Sequence, residues 1–158
     1  MSETSKTAVI GLGSMGYGRA ISALRGGHAT YGFDVNADQA ARFRSEGGLD
    51  GQLEEIAPTL DVVLTVVLNA EQTEAVLFGP DGVVPHLADG AVVIACATVP
   101  PAFAKDMAVR CAAHSVHYLD APISGGSVKA AEGKLSIMAS GSPEAFSAAR
   151  PVLDSISE

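Results

Sequence analysis

The residues best suited to chemistry form one tight group near the start of the chain, Gly11-Leu12-Gly13-Ser14-Met15-Gly16. The spacing is G-x-G-x-x-G, between the run Thr7-Ala8-Val9-Ile10 and a helical stretch. In that setting Gly11 serves a tight turn, Gly13 lets backbone approach a pyrophosphate, and Gly16 lets the helix pack closely on the strand. The first N–H groups of the helix and its positive dipole end then face the phosphates. Asp34 follows Gly16 by 18 residues, at the end of a second strand. A carboxylate there accepts hydrogen bonds from the hydroxyls of an adenosine ribose. The chemistry indicated is dinucleotide binding. A 2′-phosphate beside Asp34 would bring two negative charges together, and Val35 rather than an Arg comes next, which favours NAD over NADP. Arg42 and Arg44 are the basic residues that could act the other way. A binder of S-adenosylmethionine is the alternative, but it carries an acidic residue just before the glycines, where this chain has Val9-Ile10.

A second group is Asp120-Ala121-Pro122-Ile123-Ser124-Gly125-Gly126. A strand ending at Asp120 and a turn with Ser124 and two glycines would expose backbone N–H groups able to hold a carboxylate. Read from the residues alone, a glycine-rich connector capped by Ser124 fits equally well. Other titratable residues offer less. Lys6, Lys105 and Lys134 read as solvated charges, and Lys129 has nothing evident to lower its pKa. His28, His86, His114 and His117 lack visible carboxylate partners. Cys96 and Cys111 have no second Cys or His at metal-ligand spacing and read as reduced, buried thiols.

The elements that must position these groups alternate in type. Strands are expected at Thr7–Ile10, Ala29–Phe33, Asp61–Val67, Ala91–Ala95, Val116–Leu119 and Leu135–Ala139. Helices are expected at Ser14–Arg25, from an Asn36 cap to about Ser45, at Glu71–Phe78, from Pro100-Pro101 to about His114, and at Ser127–Glu132. A last helix starts at Pro143, with Pro151 expected to kink or restart it. Gly79-Pro80-Asp81-Gly82 is a break. Strands with near-continuous apolar runs, alternating with helices, indicate an α/β fold with a doubly wound, mostly parallel sheet of Rossmann type. With 158 residues, one dinucleotide-binding domain over 1–158 is expected.

Composition narrows the function classes. The formal net charge is −8, against the basic footprint that a nucleic-acid surface needs. No apolar run reaches membrane-spanning length, and Met1–Thr7 lacks the apolar core of a signal peptide. A soluble, cytoplasmic protein is the expectation.

The two glycine-rich segments together resemble the β-hydroxyacid dehydrogenase family, which includes 3-hydroxyisobutyrate, tartronate semialdehyde and L-threonate dehydrogenases, with 6-phosphogluconate dehydrogenase as a relative. Between them Ala97-Thr98-Val99 resembles the family's loop near the nicotinamide, and Asn69-Ala70-Glu71-Gln72-Thr73-Glu74-Ala75-Val76-Leu77-Phe78 resembles its L-threonate dehydrogenases. The resemblance implies pyrophosphate on Gly11 to Gly16, adenosine ribose at Asp34 and Val35, and the cofactor's edge along Val67, Leu68 and Asn69. It places Thr98 by the nicotinamide ribose or substrate, and a hydroxycarboxylate on Ser124, Gly125 and Gly126. Members run to roughly twice this length, adding an all-helical C-terminal domain that closes the cleft and forms homo-oligomers. The family's catalytic lysine lies beyond Glu158. The resemblance therefore implies an NAD-binding half that is inactive alone; a stand-alone dinucleotide sensor is the other reading.

Overall fold

The computed structural model describes residues 6–49, 51–67, 69–80, 82–97, 99–121, 123–124, 136–137 and 143–156. The chain opens with strand β1 (Lys6–Ile10), helix α1 (Ser14–Arg25), β2 (Ala29–Phe33) and α2 (Ala37–Ser45). A short α3 (Leu53–Ile56) leads to β3 (Val62–Thr65), α4 (Ala70–Phe78), β4 (Val92–Ala95), α5 (Pro101–Ala112) and β5 (His117–Asp120). Two-residue strands β6 (Ile123–Ser124) and β7 (Ser136–Ile137) pair antiparallel, and α6 (Pro143–Ile156) ends the described chain.

The five main strands are all parallel, in the order β2-β1-β3-β4-β5. Beyond β2, Leu49 makes a single parallel bridge to Tyr31. Counting that bridge as a vestigial strand, the order in chain sequence is 3-2-1-4-5-6, that of a doubly wound dinucleotide fold. The direction of winding reverses between β1 and β3. Crevices open at such a switch point, beyond the carboxyl ends of the strands.

Period-two alternation sends neighbouring strand residues to opposite faces. Val9, Leu64, Ile94 and Leu119 meet Tyr17, Ala20 and Ala23 of α1 and Ala145, Ala149 and Val152 of α6. Ala8, Val63, Val93 and Tyr118 meet Leu77 of α4 and Met107 and Cys111 of α5. Each fully buried Val, Leu or Ile contributes about 1.5–3 kcal/mol, so both faces hold the sheet.

The differences from the sequence reading have local causes. β3 stops at Thr65 rather than Val67. Val66 N–H still reaches the Ile10 carbonyl (2.8 Å), but Gly11 then turns away at φ 104°, leaving Val67 without that neighbour. β5 starts one residue late, because Val116 N–H still bonds the Cys111 carbonyl (3.0 Å) and Ser115 turns the chain at φ 60°. α3 had no apolar period to announce it. α6 runs on through Pro151 instead of restarting. The ring removes one N–H from the helix ladder, while the Pro151 carbonyl accepts from His28 Nε2 at 3.0 Å. The helix expected over Ser127–Glu132 lies outside the described residues, and of the strand expected over Leu135–Ala139 only Ser136–Ile137 is described.

Candidate functional site

At the switch point lies a cleft of about 660 Å³, lined by Ile10, Gly11, Gly13, Asp34, Val35 and Val67 among others. β1 ends on its floor, and α1 starts at its edge. Gly11 holds φ 104°, a left-handed conformation that disfavours any side chain, and a Cβ there would overlap the Val66 carbonyl. A Cβ on Gly16 would overlap the Gly11 carbonyl, so the helix can sit this close to the strand only with glycine. A Cβ on Gly13 would meet nothing within 4 Å. That open side is where an incoming ligand can touch backbone.

The helix ends around the cleft differ. α2 is capped by Asn36, whose side chain accepts from Asp38 N–H (2.9 Å), and α4 by Asn69, which accepts from Gln72 N–H (2.9 Å). α1 starts at Gly13 with no side-chain cap, and its first internal bond runs from Tyr17 N–H to the Gly13 carbonyl (2.8 Å). The N–H groups of the preceding turn therefore have no intrahelical acceptor. Such a terminus, beside a glycine with space in front of it, suits an anion.

Asp34 stands at the end of β2 on the cleft wall. Its Oδ2 accepts from Leu12 N–H at 2.6 Å and its Oδ1 from Asn36 N–H at 2.7 Å. The carboxylate thus grips the glycine turn itself, a contact that sequence reasoning missed. Each oxygen keeps a lone pair for a further donor. Gln39, also missed, donates from Nε2 to the Leu12 carbonyl at 2.6 Å. Its place as the third residue of a helix capped by Asn points to a role at that cap rather than at the turn. Arg42 is drawn away onto the Tyr17 ring, 4.3 Å from its centroid. Arg44 shares a neighbouring cavity with Asp34.

Of the expected site residues, the structure brings Gly11, Gly13, Asp34, Val35 and Val67 to one cleft. Leu12 has a fully buried side chain below it. Ser14 and Met15 form the first turn of α1 with Gly16. Asn69 caps α4 with its side chain. Ser124 pairs with Ser136 in the small antiparallel sheet, while Leu68, Thr98, Gly125 and Gly126 lie outside the described residues. Val66, Gln72, Ala75 and Val76 also line the cleft; the last three lie at i, i+3 and i+4 on α4, one face that helical spacing could have singled out. Among the described residues no group of His, Cys, Asp or Glu could hold a metal ion, and no helix is long and apolar enough to cross a membrane.

A different environment lies along the inner side of α1. Arg19 is wholly buried, and its Nε and both Nη atoms have no hydrogen-bond partner among the described residues. Burial lowers its pKa. The same burial pushes the Cys96 thiol up, with Arg19 opposing the rise. On β3 and β5, Thr65 Oγ1, Tyr118 Oη and Asp120 Oδ1 are also buried without hydrogen-bond partners among the described residues. Desolvation raises the Asp120 pKa.

The comparisons with known proteins agree with this geometry. Residues 6–158 match the family described as the NAD binding domain of 6-phosphogluconate dehydrogenase. An L-threonate dehydrogenase of Cupriavidus necator is 46% identical over 149 residues, which are 94% of this chain and 50% of that protein. One from Escherichia coli K12 is 42% identical over 150 residues, again 94% of this chain and 50% of the relative. The chain thus spans about half the length of these curated relatives. A crystal structure of 3-hydroxyisobutyrate dehydrogenase from Salmonella typhimurium superposes with a TM-score of 0.92 at 40% identity, covering 97% of this chain and 54% of that one. The glycine turn, the switch-point cleft and these matches converge: the chain belongs to the family of the NAD-binding domain of 6-phosphogluconate dehydrogenase, within the β-hydroxyacid dehydrogenases.

Proposed function

We propose that this chain is the cofactor half of an NAD-preferring dehydrogenase acting on a small 3-hydroxycarboxylate of the L-threonate type. The observation that carries the reading is the uncapped start of α1, opening beside unobstructed Gly13 onto a cleft with Asp34 on its wall. The residues fit the cofactor. The N–H groups of Gly13 to Gly16 take the pyrophosphate, Asp34 takes the adenosine ribose with Val35 beside it, and Val67 flanks the cofactor's edge. When bound, the nicotinamide supplies a hydride acceptor. Asp34 disfavours a 2′-phosphate by charge. Arg42 is held on the Tyr17 ring, and Arg44 lines a neighbouring cavity with Asp34.

The substrate side is assigned to Ser124, Gly125 and Gly126, with Thr98 by the nicotinamide ribose. The L-threonate leaning is supported by relatives of that name at 46% and 42% identity. Oxidation of an alcohol carbon removes a hydride from carbon and a proton from oxygen. The proton acceptor is assigned to a lysine in the half of the longer relatives that this chain does not span, so the chain alone binds cofactor without turnover. Calorimetric titration of the chain with NAD and NADP tests the cofactor reading. Saturable binding, tighter for NAD, is expected; no saturation at millimolar NAD overturns it. Turnover of a hydroxyacid panel by a longer protein carrying this chain tests the substrate class.

A further inference from the structure

We propose that Gln39 is a positioning residue of the dinucleotide site, holding the Leu12–Gly13 peptide so that the turn presents N–H groups to the pyrophosphate. The inference rests on the dinucleotide reading above. Leu12 is gripped on both sides: its N–H donates to Asp34 Oδ2 at 2.6 Å, and its carbonyl accepts from Gln39 Nε2 at 2.6 Å. Its side chain is wholly buried and supplies a third anchor. A trans peptide is planar with its C=O and N–H opposed. Fixing the Leu12 carbonyl toward α2 therefore fixes the direction of the Gly13 N–H. Left unheld, that carbonyl could swing toward the cleft and set a partial negative charge against the phosphates.

Gln39 is available for this work because of how α2 begins. A Gln three residues after an Asn cap ordinarily folds back to the N–H of the cap residue. Here Asn36 N–H already donates to Asp34 Oδ1 at 2.7 Å. The cap's own side chain serves Asp38 N–H. The glutamine amide is released to cross to a turn 27 residues earlier in the chain. Asp34, Asn36 and Gln39 thus act as one device, in which the carboxylate both steadies the turn and frees the amide that steadies its other side.

The test compares wild type with Gln39→Leu, Gln39→Glu and Gln39→Lys. NAD and ADP-ribose are titrated by calorimetry, and adenosine by NMR shift titration, which reads millimolar binding. Gln39→Leu is expected to weaken NAD and ADP-ribose by about tenfold, with adenosine within about twofold because it carries no phosphate. Gln39→Glu sets a carboxylate against the Leu12 carbonyl and loses more. Gln39→Lys retains a donor and stays within about threefold of wild type. If adenosine falls in parallel with the phosphate ligands, or if Leu and Lys behave alike, the positioning role is wrong. The Glu and Lys variants, both polar at this half-buried position, decide the matter should the Leu variant fold poorly. Failure of the wild type to bind NAD would instead overturn the dinucleotide reading.

Discussion

Helix α1 joins two regions that treat polar groups in opposite ways. At its start, Leu12 N–H, Leu12 C=O and both Asp34 oxygens have short partners within the protein. One and a half turns further on, Arg19 is sealed in, its three guanidinium nitrogens without hydrogen-bond partners among the described residues, close enough to Cys96 for the two to interact electrostatically. The first region gains rigidity before any ligand arrives, which lowers the ordering cost of binding. The second carries desolvation that nothing in the described residues offsets. A binding loop and a strained interior can therefore share one helix, because the loop's hydrogen bonds are local while the interior's packing spans the whole face of the sheet.

The contrast can be broken first at Gly16. Gly16→Val sets a branched side chain where even a Cβ overlaps the Gly11 carbonyl. It should cost about 3 kcal/mol or more and abolish saturable NAD binding; a denaturant midpoint like that of wild type would contradict the close approach. On the other side, Arg19→Met replaces a buried cation that has no hydrogen-bond partner among the described residues with an apolar chain of similar length. A gain of about 1–4 kcal/mol is expected, raising Tm by about 2–4 °C for each kcal/mol. A fall in Tm would mean that the guanidinium has a partner that it needs.

Asp34→Ala sharpens the comparison from the ligand side. The substitution removes the turn's anchor for both dinucleotides, but ribose contacts for NAD alone, and it relieves repulsion of a 2′-phosphate. NAD affinity should drop more than about tenfold and NADP affinity less. Equal losses by calorimetry would show that the carboxylate acts only through the turn. The smallest effect belongs to Asp120. Burial raises its pKa above the ordinary 3.8, so the folded chain holds the proton more tightly than the unfolded one. The stabilisation is complete below 3.8 and is lost as pH rises through the raised value. Asp120→Asn should flatten the stability profile over that window; denaturation midpoints that keep the wild-type slope would count against it.

Much of this was legible beforehand for a physical reason. β1, α1 and β2 fall where alternation and the glycine spacing put them, because the turn permits few other paths between a strand and a helix. Two of the boundaries that moved, at Thr65 and His117, are set by neighbours: Gly11 leaving β1, and Ser115 turning the chain after α5. Gln39 was overlooked because its ordinary role is to cap its own helix, and only the Asp34–Asn36 contact redirects it.

By itself, then, the sequence determined the alternation of strands and helices, the three glycine positions and the acidic residue at the end of β2. Each of these follows from side-chain period or backbone sterics within a few residues. Tertiary structure alone decided that Asp34 and Gln39 close on Leu12, that Arg42 lies on Tyr17, and that Arg19 is buried without a hydrogen-bond partner among the described residues. Those outcomes depend on which distant surfaces meet, and a hydrogen bond across 27 residues has no local pattern to announce it.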